Sequence, residues 1–252
     1  MALRDLVKWL ALGALVTVIG ACSSSGPRTG FAASDKFEPT SRAFLNGNKR
    51  LDFYIIRPVA KGYDLVTPAL FQHMIGNGLS HLELPGDFAN YLLQGDFTKS
   101  AETLGRMTLN TFIGAGGLLD PAKEFGLPRQ STDFGITLGR YGVGEGSYLV
   151  LPLVGPTTVR DSAGFLVDRA FSPSTYVGQF LAWDAFGPTV TGLGFVDARN
   201  RNAALIDEVL YEADDSYVTL RSAYLQRRRA QVAGEDSTDT IPDIFDDEAE
   251  TQ

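Results

Sequence analysis

The stretch from Asp133 to Asp161 constrains the fold of this chain more than any other. It contains six glycines and two prolines within an otherwise apolar and aromatic run. Each glycine inside a helix costs roughly 1 kcal/mol, so the closely spaced glycines between 139 and 146 disfavour a stable helix. Residues 148–151 are typical of a buried strand that ends at Pro152, because proline cannot donate a ladder hydrogen bond. We therefore predict a long, ordered and apolar loop that packs inside the protein or against other apolar material.

Two functional motifs are disfavoured within this stretch. Residues 142–146 superficially resemble a phosphate-binding loop, but no strand precedes them, no lysine follows them and no helix begins directly after them. Ser147 is not the nucleophile of a Gly-x-Ser-x-Gly elbow, because Glu145 and Leu149 occupy the two glycine positions. Neither nucleotide binding nor a serine hydrolase follows from this part of the sequence.

The beginning of the chain has the pattern of a secretion signal over residues 1–21. Basic residues precede about twelve apolar residues, which are too few to span a bilayer. The segment ends at Cys22, the only cysteine, so no disulfide can form within the chain. Cys22 resembles the acylated cysteine of a bacterial lipobox; the alternative is an ordinary signal with an incidental cysteine. Lipid on Cys22 would be the only non-protein group, and residues 22–34 would form a tether.

Acylation would hold the body at a membrane without a spanning helix. Each buried methylene contributes about 0.8 kcal/mol, so several acyl chains give stable anchoring. By the lipoprotein sorting rule, Ser23 in the second mature position favours the outer membrane. Without residues 1–21, 20 basic and 29 acidic side chains remain. This negative balance argues against nucleic acid as a partner. The predicted tail, residues 231–252, is acidic and expected to be disordered.

Between the tether and the tail, residues 35–230 favour an all-α fold of about nine short helices joined by glycine and proline breaks. One helix should end at Arg57 before Pro58, and another should begin at Pro85. Further helices are expected over Val159 to Phe171 and from about Val190 to Glu212. A helix that begins after Thr98 or Ser100 is expected to turn one face inward, with the residues Ala101, Leu104, Thr108, Leu109 and Phe112.

Several polar residues allow more than one interpretation. His73, His81 and Glu83 could ligate zinc, but their spacing matches no common motif, and surface or hydrogen-bonded histidines are the alternative. We therefore predict no metal site. The three arginines at 227–229 are expected to form a solvated helix terminus that complements the helix dipole, ahead of an anion site. The last helix is expected to be capped by Asp214 or Asp215.

A predicted helix beginning at Pro173 carries large aromatic residues, among them Tyr176, Phe180 and Trp183. Tyrosine and tryptophan on an apolar helix are favoured at the interface with lipid headgroups. The alternative, a helix in the protein core, fits the same pattern. These three side chains are our candidates for facing the membrane.

A set of short motifs runs nearly end to end through the mature body: Leu51-Asp52, Tyr54, Arg57 to Tyr63, Leu92 to Gly95, Arg106, Asn110-Thr111, Gly116-Gly117, Asp120, Asp133 to Gly135, Thr137-Leu138, Tyr148 to Pro152, Gly155-Pro156, Arg160-Asp161 and Ala223 to Arg227. With these motifs and the lipobox, the chain resembles the VacJ/MlaA family of outer-membrane lipoproteins. The sequence departs from the family pattern at Ile136, Tyr141 and Ser147.

The resemblance implies a function in lipid transport rather than catalysis. It implies a ring-like helical body around an amphipathic channel, placed in the inner leaflet of the outer membrane and facing the periplasm. Such a protein would take phospholipid from the outer leaflet and pass it to a soluble periplasmic carrier. That carrier feeds an inner-membrane ABC transporter, and trimeric porins are partners of the family.

The physical argument agrees with that implication. Burying a charged headgroup in hydrocarbon costs several kcal/mol or more, so a transporter must offer a polar passage. Our candidates for the lipid passage or its loop are Gly139, Gly142, Gly144, Gly146 and Tyr148, and the glycine loop from Gly139 to Gly146 is the candidate for a mobile wall. Two alternatives remain open: a lipid-anchored scaffold without a channel, and a lipid-processing hydrolase that depends on a histidine.

Overall fold

The computed structural model describes residues 36–173 and 185–234, which are mostly helical. We number the α-helices along the chain: α1 Glu38–Leu51, α2 Arg57–Val66, α3 Ala69–Leu93, α4 Phe97–Phe112, α5 Pro121–Glu124, α6 Phe134–Arg140, α7 Val159–Phe171, α8 Phe186–Arg201, α9 Ala203–Asp207 and α10 Ser216–Ala233. Two π-helical segments, Asp52–Ile56 and Glu208–Glu212, follow α1 and α9 directly. The predicted mostly helical fold is confirmed.

The helices at the start of the body are longer than predicted. Helix α1, the first π-helical segment and α2 form one continuous helical run, so the predicted end at Arg57 is wrong. The Arg57 N–H bonds to the Asp52 carbonyl, five residues back. This wider turn changes the register just before Pro58. Pro58 therefore lies in the first turn of α2, where its missing N–H is tolerated.

Helix α3 continues through the helix start that was predicted at Pro85. It is 25 residues long and contains Pro85 in its interior, where we expected a new helix to begin. Helix α4 packs against it, and packing of this kind outweighs the local preference to break. Helix α4 itself begins two to four residues earlier than predicted, because the Asp96 side chain accepts a hydrogen bond from the Lys99 N–H at 3.0 Å.

The central stretch is a short helix followed by a hairpin rather than one long loop. Helix α6 includes Gly139, and two antiparallel strands follow: β1, Tyr148–Leu151, and β2, Gly155–Thr158. The predicted strand at 148–151 is confirmed, but its partner was missed. Proline is tolerated in β2 because the sheet has only two strands and β2 is at its edge. The tight connection uses positive φ at Leu153 and Gly155.

In the last part of the body, one helix and one cap agree with the predictions and one long helix does not. Helix α7 has the predicted bounds, and Asp215 caps α10 by accepting from the N–H groups of Tyr217 and Val218. Helix α10 continues to Ala233, three residues past the predicted end of the domain. The predicted helix to Glu212 is interrupted at Asn202, where α8 ends.

The apolar core among the described residues is small. Leu45, Tyr148, Val150 and Tyr217 form its buried cluster, where side chains of α1, β1 and α10 meet. Partly buried leucines and Tyr224 pack around it. Most large apolar side chains of the described residues therefore lie outside this buried cluster.

The body is polar inside and apolar outside. Its buried polar and charged side chains outnumber its buried apolar ones among the described residues. Many large apolar side chains lie on the surface instead; Leu65 is 86% and Phe112 is 83% exposed. Helix α4 illustrates the inversion, because it buries Ser100, Thr103, Arg106 and Asn110. The predicted inward face of α4 is therefore wrong, since Leu104 and Phe112 point outward.

Within residues 36–173 and 185–234, no helix is both long enough and apolar enough to cross a membrane.

Candidate functional site

An amphipathic cleft of about 190 Å³ lies beside the β-hairpin. We call it the inner cleft and define it by its lining residues: Asp133, Leu151, Val154, Pro156, Thr157, Asp161, Ser162, Phe165, Asp168, Tyr224 and Arg228. The hairpin and α7 supply the apolar wall. The start of α6, helix α7 and helix α10 supply the charged groups. The inner cleft thus combines an apolar side with an ionic side.

Arg228 organises the charged side of the inner cleft. Its guanidinium donates to both carboxylate oxygens of Asp133, at 2.7 and 2.9 Å. It also reaches Asp161, through Nε at 3.1 Å and Nη2 at 2.9 Å. The Tyr224 hydroxyl donates to the same Asp161 carboxylate at 2.8 Å. The prediction that the arginines at 227–229 form a solvated terminus is wrong for Arg228, which is largely buried and paired.

The two carboxylates of α7 in the inner cleft differ in their environments. Burial would raise the pKa of Asp161, but Arg228, Arg160 and the Tyr224 hydroxyl lower it to about 2. Burial raises the pKa of Asp168, and hydrogen bonds from the Phe134 N–H and the Asn90 amide offset this only in part. Asp161 is therefore a firmly ionised structural group. Asp168 receives only neutral donors, at 3.0 Å each.

A polar stripe on α3 continues from Asp168. Glu83, Asp87, Asn90 and Gln94 follow the spacing of one helical face. Asp87 accepts from the Thr132 N–H at 3.0 Å, and Asn90 donates to Asp168. Gln94 donates to the hydroxyls of Thr132 and Thr137, at 2.8 Å each. The stripe therefore connects the inner cleft to the segment before α6.

The inner cleft opens onto the apolar surface of the body. Val154 and Phe165 line it and are 43% and 47% exposed. Their neighbours Leu153 and Leu166 are exposed as well. A molecule with a polar end and an apolar end can therefore place the first among the carboxylates and the second along this surface.

A second buried ionic network lies where the two π-helical segments meet. Arg199 donates to both oxygens of Asp52, at 2.8 and 3.1 Å, and to Asp207 at 2.5 Å. The Tyr211 hydroxyl donates to Asp52 at 2.8 Å, and Arg57 pairs with Asp207 at 2.7 Å. π-Helical segments are frequent at functional sites. Here they hold α1 and α2 to α8 and α9.

The predicted passage residues lie near the inner cleft but do not line it. Gly139 belongs to α6 rather than to a loop, and Tyr148 is buried in the apolar core. Gly142, Gly144 and Gly146 do lie in the loop between α6 and β1. The hairpin turn and β2, rather than this loop, line the inner cleft. The role of the loop in a lipid passage stays a prediction.

The loop between α6 and β1 is tied to its surroundings at Glu145. The Glu145 carbonyl accepts from the Arg160 N–H at 3.2 Å, and its carboxylate pairs with Arg229 at 2.6 Å. Side chains added at Gly142 or Gly144 would meet nothing within 4 Å. The loop is therefore held at Glu145 and has open space at Gly142 and Gly144, whereas a side chain at Gly146 would meet Val159.

Other candidates fall outside the described residues or away from the inner cleft. Cys22 and the aromatic residues Tyr176, Phe180 and Trp183 lie outside the part of the chain that the structure describes. His73 is exposed, and the His81 Nε2 lies 3.1 Å from the Thr111 hydroxyl. These positions match the alternative of surface or hydrogen-bonded histidines. Among the described residues, no group of three or more His, Cys, Asp and Glu side chains is arranged to hold a metal ion.

Sequence reasoning gave no role to the charged residues that line the inner cleft. Asp133, Asp161 and Asp168 were not selected, and Arg228 was placed in solvent. The available signal was a carboxylate in an apolar context: Asp168 lies in a helix whose neighbouring positions are mostly apolar or small. Such a residue is costly to bury unless it has partners.

An apolar exterior, a polar interior and a cleft open between them define a protein that contacts lipid outside and polar groups inside. The chain belongs to the MlaA lipoprotein family, whose model matches residues 33–231. It is similar to the intermembrane phospholipid transport system lipoprotein MlaA of Escherichia coli, with 37% identity over 224 residues, covering 86% of this chain and 85% of the relative. Its counterpart in Haemophilus influenzae is 32% identical over 243 residues, covering 92% and 94% of the two chains.

A solved structure shares the fold. It is described as the structural basis for maintenance of bacterial outer membrane lipid asymmetry. Its TM-score is 0.68 at 32% identity, and the match covers 79% of this chain and all of the solved chain. The resemblance to the MlaA family is thus confirmed by sequence and by fold.

Proposed function

We propose that this protein moves phospholipid, holding the headgroup in the inner cleft while the acyl chains stay on the apolar surface. The observation that carries the proposal is the inverted polarity of the body together with a cleft that opens between its two kinds of surface. The relatives from Escherichia coli and Haemophilus influenzae are lipoproteins of the intermembrane phospholipid transport system, and this similarity supports the proposal. Removal of phospholipid from the outer leaflet would agree with the role in lipid asymmetry that is described for the solved structure.

The protein needs to lower only the free-energy barrier for moving the headgroup through the hydrocarbon of the membrane. Moving a charged headgroup through hydrocarbon costs several kcal/mol or more, whereas the tails gain nothing by leaving lipid. Polar groups at membrane depth must be paired or line a passage. The ion pairs around Arg228 meet this condition, because each carboxylate that Arg228 holds is hydrogen-bonded.

We place the body in the inner leaflet of the outer membrane, as a ring-like helical shell anchored by lipid on Cys22 and facing the periplasm. The exposed apolar side chains of α2 and α4 suit an acyl environment. In this arrangement the protein removes phospholipid from the outer leaflet and passes it to a periplasmic carrier protein. A trimeric porin is the proposed neighbour in the membrane.

The proposal assigns no catalysis to the inner cleft. Ser162 is its only serine, and its hydroxyl donates to the Thr158 carbonyl at 2.8 Å rather than to a base. A nucleophile needs an adjacent base within hydrogen-bond reach. Neither His73 nor His81 is part of the lining. If both histidines are replaced by Gln and lipid transport stops with the protein folded, the histidine-dependent hydrolase gains support instead.

Filling the inner cleft tests the proposal. Ser162→Trp places a large ring at the ionic side of the cleft, and Thr219→Trp on the exposed face of α10 is the matched control. Each variant is expressed in cells whose own family protein is deleted, and surface phospholipid is measured by digestion with an external phospholipase. We expect Ser162→Trp to leave phospholipid on the surface and Thr219→Trp to clear it. Normal clearance by a correctly inserted Ser162→Trp protein contradicts the proposal and favours a scaffold.

The loop between α6 and β1 is proposed as a mobile wall of the passage. Cysteines at positions 145 and 229 replace its ion pair and can be joined by a short bismaleimide, with Cys22 as the only native cysteine. We expect joining to slow lipid clearance and the unjoined double variant to retain it. Unchanged clearance after joining removes the gating role but leaves the passage itself intact.

A further inference from the structure

Resting on the proposed function, we infer that the inner cleft selects the headgroup it carries: it favours a zwitterionic phospholipid that ends in a primary ammonium, the phosphatidylethanolamine class, over phospholipids of net negative charge such as phosphatidylglycerol.

The first argument is the charge of the lining. Asp133, Asp161 and Asp168 provide three carboxylates, and Arg228 is the one cation of the lining. Arg160 does not line the inner cleft but donates to Asp161 at 3.0 Å. Even when Arg160 is counted, the carboxylates outnumber the cations. A headgroup with an additional negative charge is therefore repelled, and one with a positive end is attracted.

The second argument is that Arg228 has few donors left for a phosphate. Its Nε is bonded to Asp161, its Nη1 to Asp133 and Gln231, and its Nη2 to Asp133 and Asp161. A guanidinium has five N–H donors in a fixed planar arrangement. Because these donors are already directed at the two carboxylates and at the Gln231 amide oxygen, Arg228 holds the inner cleft together rather than binding an anion.

The third argument is that Asp168 lacks a cation of its own. Its two oxygens accept from Asn90 and from the Phe134 N–H, and both donors are neutral. Among the described residues, no Lys, Arg or His forms an ion pair with it. A carboxylate oxygen has more than one acceptor site, so Asp168 can still accept from an ammonium.

An independent observation comes from Asp87, one helical turn before Asn90. Asp87 is 3% exposed, and its Oδ2 accepts no hydrogen bond, with the Arg129 guanidinium 3.7 Å away. The Oε1 of Gln94 is also buried without a donor. Asp87 and Gln94 both bond to Thr132, which brings them to one neighbourhood. Neither residue lines the inner cleft, but both extend the surplus of acceptors along the stripe that begins at Asp168.

The test uses the full-length mature lipoprotein in vesicles of equimolar phosphatidylethanolamine and phosphatidylglycerol with identical acyl chains. A photoreactive benzoylphenylalanine replaces Phe165, which lines the inner cleft. In a second sample it replaces Phe112, an exposed residue outside the cleft that reports the surrounding lipid. Crosslinked lipids are identified by mass spectrometry. We expect at least a threefold higher ratio of phosphatidylethanolamine to phosphatidylglycerol at position 165 than at position 112.

The two hypotheses fail differently in this experiment. Equal ratios at positions 165 and 112 overturn the headgroup selectivity but keep the lipid-binding cleft. If position 112 captures lipid while position 165 captures none, the proposed function itself is contradicted.

A charge variant assigns the selectivity to Asp168. Asp168→Asn keeps the size and one acceptor of the side chain while removing its negative charge. Asp214→Asn on the exposed segment before α10 is the control with the same charge change. We expect the enrichment at position 165 to fall by at least half in Asp168→Asn and to persist in Asp214→Asn. Equal enrichment in both variants contradicts the assignment to Asp168. If Asp168→Asn does not fold, the comparison of positions 165 and 112 in the protein with native Asp168 still tests the headgroup selectivity.

Discussion

Buried charged residues in this protein lie in ion pairs, and the buried apolar cluster among the described residues is small. Asp52 shows the pattern: it is 6% exposed and accepts from Arg199 and from the Tyr211 hydroxyl. A buried charge that loses its partner is costly, although the intact pair gives little net stability compared with apolar residues. Removing either Asp52 or Arg199 alone should therefore cost more stability than the intact pair contributes.

We expect Arg199→Met to destabilise the protein strongly, because it leaves Asp52 buried without its main partner. The loss in the free energy of unfolding should be about 3–5 kcal/mol. Adding Asp52→Asn to Arg199→Met should restore part of it. Urea unfolding in detergent micelles measures all three proteins. Strictly additive losses in the double variant would show that the pair is not coupled.

Asp87 is a buried carboxyl whose charge is poorly compensated. Burial raises its pKa from 3.8 to about 7, and Glu83 and Asp133 add to the effect, whereas Thr132 and Arg129 oppose it. The unfolded chain releases this proton near 3.8, so the folded state binds an extra proton between these values. The free energy of unfolding therefore falls as the pH rises from about 4 to about 7.

We expect Asp87→Asn to remove this contribution. Relative to the unmodified protein, the variant should gain stability across that window, by at most about 4 kcal/mol. Unfolding midpoints at several pH values measure the gain, and Asp214→Asn should leave the pH dependence unchanged. A pH dependence that is the same in Asp87→Asn and the unmodified protein would falsify this assignment.

At the scale of elements, close contact between α6 and α7 determines the shape of the charged site. A Cβ at Gly164 would overlap the backbone N of Gly135, and one at Gly135 would meet the Asp161 carboxylate at 2.6 Å. This approach brings Asp161 of α7 beside Asp133 at the start of α6. Glycine at both positions is thus needed for packing, not for helix formation.

Gly164→Ala should therefore destabilise the protein although alanine is the better helix former. We expect a loss of about 1–3 kcal/mol from overpacking. Gly47→Ala in α1 meets nothing within 4 Å and should gain up to about 1 kcal/mol from helix propensity. Thermal unfolding of the two variants in the same detergent compares them. A neutral or stabilising Gly164→Ala would show that the helices can move apart at no cost.

Local sequence signals predicted some elements well and failed at others for a physical reason. The bounds of α7 and the Asp215 cap follow from local chemistry, and so does the strand at 148–151. The helix breaks at Pro58 and Pro85 did not occur, because a π-helical turn and packing along α4 outweigh the local preference. The apolar periodicity of α4 correctly identified one apolar face of the helix. Whether that face points into the protein or outward depends on the surrounding medium, and the periodic pattern carries no information about the medium.

The whole molecule is organised as a polar interior within an apolar surface. The charged residues that form the inner cleft come from distant parts of the chain: Asp133, Asp161 and Arg228. No local motif connects them, which is why sequence reasoning placed Arg228 in solvent. The family resemblance implied a lipid passage, whereas finding the residues that line the inner cleft required the fold.

The most direct test of this account is a structure of the lipidated protein in phospholipid nanodiscs, with a bound antibody fragment to aid imaging. We expect the body to lie within one leaflet, with headgroup density between Asp168 and Arg228 and acyl density along Phe165 and Val154. A body outside the bilayer, with no lipid at the inner cleft, would contradict the central claim that the cleft shelters a phospholipid headgroup.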